Sequence, residues 1–152
     1  MEQPYQKPTA AFVASAWGAF IIGAGAYLFG LWYSAMELNE KGYYLSLLLF
    51  GLFAAISLQK TVRDKLEGIH VTAMYVMSCR VALAAAIILF AIGLRNAELA
   101  LSEKGFFAMA FTLALFAVIT IQKNVRDIAA CPEKKVTMFD DEAEQAPQKS
   151  SD

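Results

Sequence analysis

Four stretches of the chain stay apolar for about the length of a membrane crossing. Ala10 to Tyr33 carries no charge, and a helix needs roughly 20 such residues to cross a hydrocarbon core of about 30 Å. Gly42 to Leu58 is also uncharged. It is shorter, but Gln59 and the stem of Lys60, which can snorkel to the interface, extend it. Val71 to Leu94 is apolar apart from Arg80, and Gly105 to Ile121 is uncharged. The pattern predicts an all-α, four-transmembrane-helix bundle with helices over about 10–33, 42–60, 71–94 and 105–123. Short connections predict that sequential helices are antiparallel neighbours. A cleavable signal sequence competes for the N-terminus, because Lys7 precedes an apolar run with small residues; the run is long for that role.

Sliding the chain against itself by 63 residues aligns its halves without a gap. Glu40, Lys41 and Gly42 fall on Glu103, Lys104 and Gly105, while Gln59, Lys60, Val62, Arg63 and Asp64 fall on Gln122, Lys123, Val125, Arg126 and Asp127. Charged and glycine positions repeating in register are not an accident of hydropathy. Each copy has an even number of crossings, so the copies are parallel repeats about an axis along the membrane normal. The expected organisation is a tail over 1–9, two-helix units over 10–68 and 69–130, and a disordered acidic tail over 131–152. A stripe of small residues also repeats, with Ser15, Ala19, Gly23 and Gly30 on Ser78, Ala82, Ala86 and Gly93. Such stripes let helix backbones approach closely in lipid.

The repeated motifs have local readings. Asn39 and Ser102 are expected as N-caps of the second helix of each unit. Glu40 and Glu103 then sit in the first turn, at the positive end of the helix dipole. Leu38 with Tyr43, and Leu101 with Phe106, have the spacing of a hydrophobic staple. Capping leaves the following Lys and Gly unexplained, so Glu40, Lys41, Gly42, Glu103, Lys104 and Gly105 are a candidate outer-surface motif. Gln59, Lys60, Arg63, Asp64, Gln122, Lys123, Arg126 and Asp127 form a second candidate. Cations there suit helix C-termini and anionic headgroups, and Lys60 with Asp64, like Lys123 with Asp127, can pair within a turn. The motif is read as an interfacial anchor or, more sharply, as a docking site for a partner or anionic lipid.

Composition narrows the partners. With 58% hydrophobic residues and a mean hydropathy of +0.46, the chain is too apolar for an ordinary soluble domain. A net charge of −1 provides no basic surface for nucleic acid. Lys60, Arg63 and Lys65 in one loop, with Lys123, Arg126, Lys134 and Lys135 after the last helix, outnumber Lys41, Arg95 and Lys104 elsewhere. The positive-inside rule therefore puts both termini in the cytoplasm. Cys79 and Cys131 have neither metal-ligand spacing nor an evident disulfide partner, and both are read as free thiols.

Two units, each with Leu-(Asn/Ser)-Glu-Lys-Gly and two aromatics before its second helix and Gln-Lys-x-Val-Arg-Asp after it, resemble the YiaA/YiaB two-helix-domain family of bacterial inner membrane proteins. The resemblance covers roughly residues 9 to 130. It implies an inner-membrane location and the duplicated architecture, and it supplies no activity or catalytic residues.

Arg80 is the candidate intramembrane polar site. It falls on Trp17 in the repeat, so both are expected to mark one interface, with Trp32, Tyr33, Tyr43 and Tyr44 at the other. Trp17 to Trp32 spans about 22 Å of helix. Should a pathway exist, Tyr27, Tyr75, Arg80 and Thr112 are its polar candidates. A single histidine, His70, and no carboxylate or thiol beside a base argue against an enzyme. No cofactor or metal is expected. The expected role is structural, accessory or stress-adaptive, with the bilayer, an anionic lipid, and a second copy or another membrane protein as candidate partners. A small transporter or channel is the alternative.

Overall fold

The computed structural model describes residues 6–131, which form four helices: α1 (Ala10–Tyr33), α2 (Leu38–Leu66), α3 (Ala73–Asn96) and α4 (Leu101–Ala130). All four are long and apolar enough to span a membrane. Their outward faces carry residues such as Ile21, Ile22, Phe29, Phe53 and Phe116, each more than half exposed, an arrangement that lipid accommodates and water does not. Thr9 caps α1 by accepting from the Phe12 amide at 3.3 Å. Helices α2 and α4 run past their expected ends at 60 and 123, carrying the charged motifs on helix. The turn after α2 closes on Gly68 at φ +77°, with the Ile69 amide donating to the Asp64 carbonyl; a left-handed glycine satisfies helix-end carbonyls in this way. The expected disorder over 131–152 falls, from 132 on, outside the described residues.

The helix pairing differs from the expected side-by-side hairpins. Although residues 34–37 join α1 to α2 directly, α1 packs along α4 and α2 along α3, while α2 meets α4 in the middle and α1 touches α2 only lightly. Each unit's first helix is thus applied to the other unit's second helix.

Small residues determine this exchange. A Cβ on Gly23 would stand 2.9 Å from the Ala114 nitrogen and 3.2 Å from the Ala110 carbonyl oxygen, so the α1 and α4 backbones nearly touch. Gly30 faces the Phe106 ring, and its repeat mate Gly93 faces the Tyr43 ring; either Cβ would come within 2.7 Å. The buried stripe on α1 is Ala16, Gly23, Tyr27 and Leu31, and on α3 it includes the repeat mates Cys79, Ala86, Phe90 and Leu94. Ser15 and Ser78, expected in this stripe, are exposed; their hydroxyls donate to their own helices, to Phe12 O and Met74 O.

Between the units lies a filled aromatic core. Phe90 stacks on Phe111 with centroids 4.1 Å apart, and Tyr27 meets the Phe107 edge at 5.5 Å. Tyr27 is fully buried, and its hydroxyl donates to the Tyr44 carbonyl at 2.8 Å. This satisfies the polar tip that a buried tyrosine brings with it.

Candidate functional site

The end of the bundle where α1 begins, α4 ends and the α2–α3 turn lies holds the charged motif. Lys60 reaches one turn along α2 to Asp64 Oδ2 at 2.6 Å, and Lys123 does the same to Asp127 Oδ2 at 2.7 Å. The second oxygen of each carboxylate is taken across the unit boundary. Arg126 Nη2 lies 2.7 Å from Asp64 Oδ1, and Arg63 Nη2 lies 2.8 Å from Asp127 Oδ1. Two reciprocal bridges therefore clasp α2 to α4. Asp64 and Asp127 are 6% and 7% exposed, and each carboxylate is covered by two cations that make charge-assisted bonds to it. Arg63 also bonds Glu67 at 3.2 Å; the repeat mate of Glu67 is Ala130, and the two halves differ there.

This placement redirects the docking reading of the motif. Both arginines turn inward to hold the units together, leaving the side chains of Lys60 and Lys123, 60% and 52% exposed, as the outward cations. Gln59 and Gln122 lie half-buried beside them. Sequence reasoning missed Thr61 and its repeat mate Asn124, each 1% exposed, one turn before the aspartates. The Thr61 hydroxyl is satisfied by the Ser57 and Leu58 carbonyls of its own helix, whereas the Asn124 amide has no hydrogen-bond partner among the described residues.

At the opposite end, the second motif is absorbed by helix termini. Helices α2 and α4 start at Leu38 and Leu101, so Asn39 and Ser102 lie inside them and cap nothing. Instead Glu40 Oε2 accepts from the Glu37 amide and Glu103 Oε2 from the Ala100 amide, both at 2.9 Å. A glutamate at the third helical position does this by reaching back to the cap residue. Leu38 and Leu101 are each 86% exposed, so neither staple forms. The repeated lysine now has a role: Lys41 Nζ donates to Trp32 O at 3.0 Å and Lys104 Nζ to Arg95 O at 3.1 Å. Each supplies a cation to the last turn of the preceding helix. A Cβ on Gly42 or Gly105 would meet nothing within 4 Å, and no contact explains glycine there.

Arg80 and its repeat mate Trp17 are both exposed on the outside of the bundle, away from the core. Of the pathway candidates, Tyr27 is buried in the aromatic core, Tyr75 and Thr112 are exposed, and the Thr112 hydroxyl is spent on the Ala108 carbonyl.

The yiaA/B two helix domain matches residues 12–64 and again 75–127, so both copies carry the complete clasp motif. The chain belongs to the YiaA/YiaB family. It is 45% identical over 142 residues to the inner membrane protein YiaA of Escherichia coli (strain K12), covering 93% of this chain and 98% of that one. It is also 36% identical over 75 residues to the uncharacterized membrane protein YubF of Bacillus subtilis (strain 168), covering 48% of this chain and 85% of that protein. No solved structure matches. In this YiaA/YiaB chain, the paired Arg-Asp motif joins the two domains, and the Glu-Lys motif closes their helix ends.

Proposed function

We propose that this YiaA/YiaB protein is a non-enzymatic structural, accessory or stress-adaptive component of the bacterial inner membrane, with both termini in the cytoplasm. The filled core carries this reading. The aromatic cluster of Tyr27, Tyr44, Phe90, Phe107 and Phe111 occupies the space between the units that a transport pathway would need, and Arg80 faces outward. His70 is exposed in the α2–α3 connection, and the similarity to an inner membrane protein supports the location. Orientation rests on the positive-inside rule, because Lys60, Arg63, Lys65, Lys123 and Arg126 all lie toward the terminal end.

Lys60 and Lys123 each spend one N–H on an aspartate and keep others for an anionic headgroup. The test is native mass spectrometry of protein released from mixed phosphatidylglycerol and phosphatidylethanolamine nanodiscs, together with flux assays in proteoliposomes. Wild type is expected to retain phosphatidylglycerol preferentially, Lys60→Ala/Lys123→Ala to lose that preference, and the proteoliposomes to conduct no more than empty ones. Equal lipid retention by the double variant would remove the headgroup role. A saturable, protein-dependent flux would replace the accessory reading with transport.

A further inference from the structure

The two ends of the bundle treat their carboxylates differently. At the terminal end, Asp64, Asp127 and Glu67 all have cationic partners. At the loop end, Glu37, Glu40 and Glu98 have no ion pair among the described residues, and Lys41 and Lys104 are turned to helix-end carbonyls. These three glutamates line two adjoining grooves of about 280 and 330 Å³, which share Glu40 and Ala97 and lie where α2 meets the end of α3. No lysine or arginine lines either groove.

A second observation comes from Tyr44. It is only 4% exposed and lines the smaller groove with Tyr43, Asn39 and Asn96, yet its hydroxyl makes no hydrogen bond among the described residues. A Cβ on Gly93 would lie 3.2 Å from the Tyr43 hydroxyl and 3.3 Å from that of Tyr44, so both hydroxyls converge over the one residue with no side chain. Tyr43 has a structural reason for its hydroxyl, which donates to Leu89 O at 2.8 Å. Tyr44 has none, and its hydroxyl stays accessible at the groove, where it can bond a ligand. On the other side of the bundle, the repeat places Phe106 and Phe107 at these positions and Ser102 at that of Asn39. The hydroxyl and amide groups occur on one side only, so helix packing does not require them.

We propose that this groove binds a small organic cation carrying a primary ammonium group. The carboxylates of Glu37 and Glu98, with the oxygen of Glu40 left over from its bond to the Glu37 amide, supply the charge, the Tyr44 hydroxyl and the side-chain carbonyls of Asn39 and Asn96 supply acceptors, and the tyrosine rings favour a cation. Among the described residues, no three acidic, histidine or cysteine side chains are grouped to hold a metal ion, so the carboxylates are too dispersed for chelation. They suit a longer monovalent or divalent amine.

The test uses the full chain in phosphatidylcholine nanodiscs and saturation-transfer NMR, with 1,4-diaminobutane as probe and 1,4-butanediol as its neutral counterpart. Diaminobutane is expected to bind and butanediol not. Tyr44→Phe, which copies the residue the second unit tolerates, should weaken binding about tenfold through loss of one hydrogen bond to a charged group. Glu37→Gln/Glu98→Gln should abolish binding, and raised salt should weaken it. Equal signals from empty nanodiscs, equal binding of both probes, or affinities unchanged in the two variants would overturn the proposal. None of these results bears on the accessory role proposed above.

Discussion

The exchanged helix pairing rests on the approach of α1 to α4, and two glycines on α1 test it. Gly23 and Gly25 are close in sequence and both helical, but a Cβ on Gly23 meets the Ala114 nitrogen at 2.9 Å, Leu113 Cγ at 3.1 Å and the Ala110 oxygen at 3.2 Å, whereas a Cβ on Gly25 meets nothing within 4 Å. Two of the three obstacles to Gly23→Ala are backbone atoms of α4, which no rotamer change can move. The helices must separate instead, and overpacking of this kind costs about 1–3 kcal/mol. Both substitutions share the helix-propensity gain of about 0.5–1 kcal/mol, so the difference between them isolates the steric term. At about 2–4 °C per kcal/mol for a chain of this size, Gly23→Ala should unfold about 2–12 °C below Gly25→Ala.

Thermal unfolding followed by fluorescence-detected size exclusion in a single detergent measures this gap. Gly25→Ala is expected at or above wild type. Gly30→Ala and Gly93→Ala refine the test, since both meet a ring carbon at 2.7 Å. The Phe106 ring can swing aside, but the Tyr43 ring is tied by its hydroxyl to Leu89 O, so Gly93→Ala should cost more than Gly30→Ala. If Gly23→Ala matched Gly25→Ala, the close α1–α4 contact would be wrong, and the side-by-side hairpin would again be the better arrangement.

Two further predictions concern the charged end and the orientation. Arg126→Ala leaves Asp64 with Lys60 alone, and losing one hydrogen bond between charged groups should destabilise by about 1.5–3 kcal/mol; Asp64→Arg/Arg126→Asp, read in the same thermal assay, should recover part of the loss, and a double variant no better than the singles would argue against direct pairing. With Cys79 and Cys131 replaced by alanine, Glu98→Cys should react with a membrane-impermeant maleimide in intact cells and Glu67→Cys only after lysis, and the opposite pattern would invert the topology.

The four spans and the duplication were legible because they depend on run length and on charged residues repeating in register, neither of which needs a partner to be known. The in-helix pairs Lys60–Asp64 and Lys123–Asp127 followed from their spacing of four. The pairing of helices did not follow, because a four-residue turn suggests adjacency while the contact itself depends on which small residues face a neighbour. Ala16 rather than Ser15 joins Gly23 in that face. The cross-unit bridges left a faint signal. Arg63 and Asp64 are adjacent, so they project about 100° apart on a helix and do not face each other. Arg63 finds Glu67 four residues on, but Arg126 has Ala130 there, so its carboxylate must come from another helix, and the repeat supplies one.

Duplication within one chain separates scaffold from specialisation. Contacts present in both copies are closed circuits: Glu40 and Glu103 reach back to a cap amide, Lys41 and Lys104 hold a helix end, and Arg63 and Arg126 are matched by Asp127 and Asp64. Their polar groups have partners inside the molecule, and their repetition follows from the pseudo-twofold relation, in which a contact between one residue and another implies the reciprocal contact. Positions where the copies differ are released from that requirement. Tyr44 against Phe107 places an unpartnered hydroxyl in an acidic groove, and Thr61 against Asn124 places an unpartnered amide one turn before the clasp aspartate. The motifs that stand out most in the sequence are therefore largely spent on joining the units. Binding chemistry is better sought where the repeat breaks.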